Sequence, residues 1–409
     1  MLKYLGPGVL LAGAAIGGSH LVSSTQAGAT YGWSLIGILF LVNLFKYPFF
    51  LYAQRYTAST QRSILEGYMR LGRGYLILFF ILSVFSGFVN IAGVSMIAGS
   101  LAMNFGLGQL NVPQLSGLII LICILIILLW GYKMVKRLGK VIVVILAIST
   151  VIAMFISIYN GPVAPESFEG ESPWTLASFG FVIMFMGWMP APIDVSVWPS
   201  LWMKSQEKLQ KQAATMREAM VDFHTGYLGS VVLAFVFLIL GKMVMFGSGA
   251  ELSSQGSVFA RQLIDLYSAT IGSWSRPLIM VAAFTAMFST TITTIDAYPR
   301  SLATSTYLLV TPLAGQFKRL QQFWLVTAAL AGYIIISHFA DSLGNMLSLA
   351  MILSFLTAPV FALLNFKVMF DEQVPVNHRP SLWLQVLSIS GIIFLGGFGL
   401  VFIYWYFFL

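Results

Sequence analysis

Eleven stretches of roughly 20 mainly apolar residues fill this chain, and they limit its fold more than any other feature. They fall near 8–30, 34–57, 75–103, 114–131, 140–159, 176–200, 222–246, 276–303, 321–338, 344–368 and 383–407. Each is long enough to cross the hydrocarbon of a bilayer as a helix. In lipid only helices and closed barrels satisfy every backbone N–H and C=O. Runs this long and continuous do not suit barrel strands. The chain therefore reads as an all-α integral membrane protein whose first partner is the lipid bilayer. Composition agrees: 58% of residues are hydrophobic and 9% charged, against about 25% charged in a soluble domain. A soluble enzyme, a nucleic-acid binder and a disordered chain are excluded on that ground. Cys123 lies within an apolar run, so no disulfide framework or cysteine metal cluster is expected. Met1-Leu2-Lys3 leads straight into Gly6-Pro7-Gly8 without a cleavage pattern, so the first segment is expected to stay in the mature protein.

The formal charge of +8 sits in short loops, where it reads as orientation rather than as a nucleic-acid footprint. With the N-terminus in the cytoplasm, that side receives Arg62, Arg70, Arg73, Lys133, Lys136, Arg137, Lys140, Lys204, Lys208, Lys211, Arg217, Lys318, Arg319 and Arg379. The opposite loops hold Glu166, Glu169, Glu171, Glu251, Asp265 and Asp341, with little more than Arg261 and Arg276 against them. The positive-inside rule then predicts an inner-membrane protein with its C-terminus outside. Lys204 to Glu218 reads as a solvated amphipathic stretch on the cytoplasmic side. The longest loops, near 160–175 and 247–275, are too short for a soluble domain. The histidines at 20, 224, 338 and 378 are scattered, without the spacing of haem or zinc ligands. No GxxxxGK[ST] loop is present, so ATP is not the fuel through this chain. A secondary transporter, not an enzyme, is the reading that remains.

Transporters bind substrate at the midplane, on helices interrupted there. Segment 1 carries Gly17-Gly18-Ser19-His20 in mid-span, and segment 6 carries Met189-Pro190-Ala191-Pro192 followed by Asp194. Paired glycines weaken a helix, and two prolines remove two backbone donors. The interruptions lie five segments apart, as two five-helix repeats in inverted topology require. Gly17 and Gly18 also suit tight helix packing, and His20 also suits a structural bond to a neighbouring helix.

In their order, Gly6-Pro7-Gly8, Gln26-Ala27-Gly28-Ala29, Tyr31-Gly32, Asn43-Leu44, Met189-Pro190 and Ser289-Thr290-Thr291-Ile292-Thr293 resemble the Nramp family, proton-coupled divalent-metal transporters. The resemblance implies a LeuT-type fold of about eleven transmembrane helices, a 5+5 inverted repeat with helices 1 and 6 broken. It implies a core over 1–369, with repeats at about 1–160 and 176–369, and a peripheral helix over 370–409. Departures accompany the likeness. The family's metal-binding Asp-Pro-Gly-Asn falls on Gly17-Gly18-Ser19-His20, and its Met-Pro-His on Met189-Pro190-Ala191. Its proton-moving Asp and Glu of helix 3 fall on Asn90 and Gly93, and its helix-9 Arg pair on Gln321 and Gln322.

The expected substrate site is Gly17, Gly18, Ser19, His20, Met186, Met189, Pro190, Ala191 and Asp194. Its half-helix N-termini would suit a small anion such as bicarbonate, or a carboxylate-bearing solute. LeuT-type proteins hold sodium between a helix-8 hydroxyl face and helix-1 carbonyls. The resemblance therefore implies Na+ as coupling ion at Ala14, Ser289, Thr290, Thr293 and Thr294, with no other cofactor. A divalent-metal carrier using Asp194 and His20, and a non-transporting sensor, stand as alternatives. Asp296 is expected in a cytoplasmic-gate ion pair, with Lys46 either its partner or snorkelling to the interface. Met96 and Met103 are expected to pack or face lipid, and Trp405-Tyr406-Phe407 to form an interfacial belt. The oligomeric state is left open, a monomer included.

Overall fold

The computed structural model describes residues 5–106, 109–165, 168–249, 253, 255–310 and 315–408. Met1-Leu2-Lys3, Glu166 and Glu251 lie outside the described residues. Among those described, helices long and apolar enough to span a membrane run over Pro7–Tyr31, Ile36–Thr60, Arg73–Phe105, Val112–Asn160, Leu176–Gln210, Met216–Val244, Ser273–Leu309, Phe317–His338, Leu343–Val368 and Leu382–Phe408. The 49-residue helix Val112–Asn160 is two of the expected spans. At Gly131 the backbone turns to φ 59° and ψ −157° and the helix bends. A side chain rarely adopts that conformation, and glycine does so freely. Counted through this bend, the spans number eleven.

Between spans the chain uses local caps. Ser63 with Glu66, Asn111 with Gln114 and Thr215 with Glu218 each form a reciprocal capping box. The last of these corrects one expectation. Lys204–Glu218 is not one amphipathic stretch. The sixth span ends at Gln210, Lys211 turns left-handed, and the Thr215 cap opens the seventh. A second difference lies in the loop near 247–275, which contains the helix Gly256–Ile271. It seats Phe259, Leu263, Ile264 and Tyr267 against the bundle. Its 16 residues, carrying Arg261 and Asp265, are too few and too polar to register as a span.

The first span lies along the seventh, and the second packs on the sixth and seventh. The third, fourth, fifth, eighth and ninth pack on one another, and the tenth covers the first half of the sixth. The eleventh leans on the second, sixth and tenth at the periphery. The first and seventh spans approach very closely. A Cβ on Gly226 would stand 1.9 Å from the Gly8 carbonyl oxygen. There Asp222 fixes the entry of the first span, its carboxylate accepting from the Gly6 N–H at 2.7 Å and the Gly8 N–H at 2.6 Å. This is an anion on a helix N-terminus, where free N–H groups and the helix dipole both favour it. Met96 is fully buried and packs.

Candidate functional site

The first span breaks where the glycine pair stands. Pro7–Ala15 is α-helical, Ile16–Ser24 widens into a π-helix with Gly17 at φ −71°, ψ −110°, and Thr25–Tyr31 resumes α. Both glycines are needed for close approach. A Cβ on Gly17 would lie 2.0 Å from Thr290 Oγ1, and one on Gly18 would lie 2.5 Å from the Trp188 ring. The first break is thus pressed directly against the eighth span and the sixth. Ser19 ties the two breaks together. Its Oγ lies 3.0 Å from the Pro190 carbonyl oxygen and 2.7 Å from His20 Nδ1, and it also bonds the Ala15 carbonyl. His20 turns the other way. Its Nε2 is 2.7 Å from the Ser230 carbonyl in the seventh span, and its ring meets Phe237 edge-on. A carbonyl can only accept, so Nε2 carries a proton. His20 thus makes the structural bond that the sequence left open.

The sixth span stops at Trp188, crosses Met189-Pro190-Ala191-Pro192 in extended backbone with a cis Met189–Pro190 bond, and resumes through a 3-10 turn Ile193–Ser196. Ending a helix in mid-membrane leaves carbonyls without donors. Lys46 of the second span supplies them. Its side chain is fully buried, and Nζ donates to the carbonyls of Met186 at 2.7 Å, Gly187 at 2.9 Å and Ala191 at 3.2 Å. An ammonium has three donors, and all three are used on the break. Neither role expected for Lys46 is therefore the one it takes: it caps the half-helix.

Asp194 stands just past this break, 2% exposed. Its Oδ2 accepts from Ser86 Oγ at 2.7 Å and Tyr298 Oη at 2.8 Å, and its Oδ1 from the Val195 N–H at 3.1 Å. Asn90 extends the network, donating to the Ser86 carbonyl at 2.8 Å and towards Ser354 Oγ at 3.4 Å. A cavity of about 30 Å³ lies between the breaks, lined by Gly18, Ser19, Asn90, Trp188, Ala191, Thr290, Thr294 and Tyr298, among others. That is room for one or two waters, or an ion of that size. Trp188 is 3% exposed, and its indole N–H has no partner among the described residues.

Of the expected substrate residues, Gly18, Ser19 and Ala191 line this cavity. Gly17 packs behind it on Thr290. Met189 Sδ takes a 3.4 Å contact from Ser24 Oγ. Met186 and Pro190 present carbonyls to Lys46 and Ser19, and Asp194 reaches the cavity wall through Tyr298. Of the expected sodium residues, Ala14, Thr290 and Thr294 line it. Thr290 Oγ1 donates to the Gly13 carbonyl at 3.1 Å. Thr293 and Thr294 bond back to their own helix. Ser289 Oγ is buried without a partner among the described residues. Among the described residues, no group of three or more His, Cys, Asp or Glu side chains could hold a metal. Asp296 pairs with Arg300 on its own helix at 2.5 Å and accepts from Trp202 Nε1 at 2.9 Å, so its partner is Arg300 rather than Lys46. Sequence reasoning missed Trp188, Ser86 and Tyr298, which carry no signal in isolation. It flagged Lys46 as a charge in an apolar run but could not find its acceptors.

A search of the curated proteins finds an uncharacterized protein of Pasteurella multocida. It is 41% identical over 402 residues, covering 98% of this chain and 91% of that one. Among solved structures, a manganese transporter of Eremococcus coleocola superposes with a TM-score of 0.69 at 16% identity, covering 98% of this chain and 86% of that one. MhsT in complex with L-phenylalanine also gives 0.69, at 13% identity over 97% and 98% of the two chains. A Na+-coupled sialic acid symporter gives 0.59, at 12% identity over 96% and 88%. These likenesses fix the LeuT-type fold of a multi-pass membrane protein. Residues 8–405 match the family described as Natural resistance-associated macrophage protein-like. With broken first and sixth spans meeting at a buried cavity, the chain belongs to the Nramp family of transporters.

Proposed function

We propose that this secondary transporter carries a small anion, bicarbonate-sized or bearing a carboxylate, by alternating access and in symport with Na+. The observation that carries the reading is the lining of the cavity between the breaks. It offers hydroxyls and an amide, and no carboxylate side chain. Hydroxyl and amide groups can donate to an anion, and no carboxylate there repels one. A divalent cation is held instead by charged or soft ligands and gives up its water reluctantly. Here the Met186 carbonyl is taken by the Lys46 ammonium, whose charge repels a metal. Thr290, Thr294 and the helix-1 carbonyls beside Ala14 are the groups offered to sodium. Sodium is needed on this reading because moving one negative charge inward against the membrane potential costs about 2.3 kcal/mol per 100 mV. The N-terminus lies in the cytoplasm and the C-terminus outside, as the basic loops require.

A second reading, divalent-metal transport through an altered site, is favoured by the structural likeness to a manganese transporter and by Met189 at the break. One experiment separates the two. Purified protein in liposomes is given an inward sodium gradient or none, with internal pH and Mn2+ entry followed in parallel. Sodium-dependent internal alkalinisation with bicarbonate outside, and no Mn2+ entry, is the expected result. Mn2+ entry indifferent to sodium would return the protein to metal transport.

A further inference from the structure

The bend at Gly131 opens a second cavity, remote from the two breaks, at the end of the bundle that carries the basic loops. It holds about 470 Å³ between the fourth, fifth, sixth, eighth and ninth spans. Lys133, Lys208, Lys318 and Arg300 line it, with Gln321 and Gln322 and no acidic side chain. Arg300 is held by Asp296 and by Ser205 Oγ at 3.1 Å. The three lysines make no hydrogen bond or ion pair with any described residue. Tyr132 also lines the cavity. It is 7% exposed, its ring lies under the Arg300 guanidinium with 6.0 Å to the centroid, and its hydroxyl is buried without a partner among the described residues. A wall of four cations and two amides is chemistry for a phosphate-bearing anion.

We infer that this cavity binds the headgroup of an anionic phospholipid. Three features favour a lipid over a free anion. Leu128, Leu129 and Trp130 are about half exposed or more and lead along the fourth span to the mouth, and Phe323 does so from the ninth. Acyl chains can lie along that surface while the phosphate reaches the cations. The tryptophan at the mouth sits where indoles gather, at the membrane–water interface. The space equals about sixteen waters at roughly 30 Å³ each, more than one inorganic anion fills. Basic pockets between spans on the side facing the basic loops hold acidic headgroups by the same forces. Because Arg300 also binds Asp296, whose carboxylate takes the Trp202 N–H, the headgroup touches the pair joining the eighth span to the sixth. The assignment does not depend on which substrate the transporter carries.

Native mass spectrometry of the purified chain, titrated with phosphatidylglycerol, phosphatidylcholine or inorganic phosphate, tests it. The expected result is one phosphatidylglycerol retained at least tenfold more tightly than phosphatidylcholine. That preference should fall at least tenfold in Lys133→Gln/Lys318→Gln and persist in Arg137→Gln/Lys211→Gln, which neutralises basic residues of the same end outside the cavity. Lys208→Gln serves as a second variant should the double variant not fold, and should weaken retention without lowering the unfolding temperature. The inference is overturned if neither lipid is preferred, if the outside variant loses the preference equally, or if inorganic phosphate alone binds and displaces the lipid.

Discussion

Replacing Lys46 by Met keeps the bulk of the side chain and removes all three donors from the break in the sixth span. The carbonyls of Met186, Gly187 and Ala191 then face a thioether stem in a region that water does not reach. Hydrogen bonds between membrane helices contribute about 0.6 kcal/mol on average and about 1.7 at most, so three together come to about 2–5 kcal/mol. An unfolding entropy of roughly 2.1 cal/mol/K per residue gives about 0.9 kcal/mol/K for 409 residues. The midpoint should therefore fall by about 2–6 °C. Burying an ammonium has its own cost, and Met removes that too. The measured sign thus decides whether the carbonyl cage outweighs desolvation. The assay is thermal unfolding of detergent-purified protein by tryptophan fluorescence, with Lys46→Arg alongside. Arginine's planar fork cannot place three donors on a cage built around a point charge, so it should not restore the wild-type midpoint. A Lys46→Met protein as stable as wild type or more so would refute the reasoning, and the break would then be held by packing alone.

Gly17→Ala should destabilise by about 1–3 kcal/mol through overpacking on Thr290, and Thr290→Gly should recover part of the loss; additive effects in the double variant would show that the two do not touch. Trp188→Ala removes the ring that walls the cavity and meets Gly18, so sodium-driven uptake in liposomes should fall; unchanged uptake would remove the indole from the site. Asp194→Asn and Tyr298→Phe share one hydrogen bond, so a double-mutant cycle on stability should give a coupling of about 0.5–3 kcal/mol, and zero coupling would break the network described. Asp222→Ala frees the Gly6 and Gly8 N–H groups at the entry of the first span and should cost about 1–3 kcal/mol, read as a lower midpoint in the same thermal assay.

The residues that expose the architecture are those whose chemistry acts locally. Apolar length marks a span wherever it occurs, because lipid imposes the same demand on every helix. Gly17-Gly18 and Pro190–Pro192 mark the breaks because glycine and proline weaken a helix regardless of their neighbours. Eleven spans, two broken helices and a family could therefore be read along the chain, and the bend at Gly131 falls at the end of the fourth of those runs. The site is another matter. Whether His20 faces a substrate or the Ser230 carbonyl depends on the rotation of one helix against another, and so does the choice of acceptors for Lys46. The second and sixth spans lie about 140 residues apart at that contact, and no pattern along the chain encodes their rotation. Hydroxyls such as Ser86 and Tyr298 acquire a role only when packing brings a carboxylate within 3 Å of them. Local chemistry along the chain decides which segments enter the membrane and where they break. Tertiary packing alone decided which polar groups those breaks turn towards each other, because each buried polar group must find its partner across the bundle rather than along the chain.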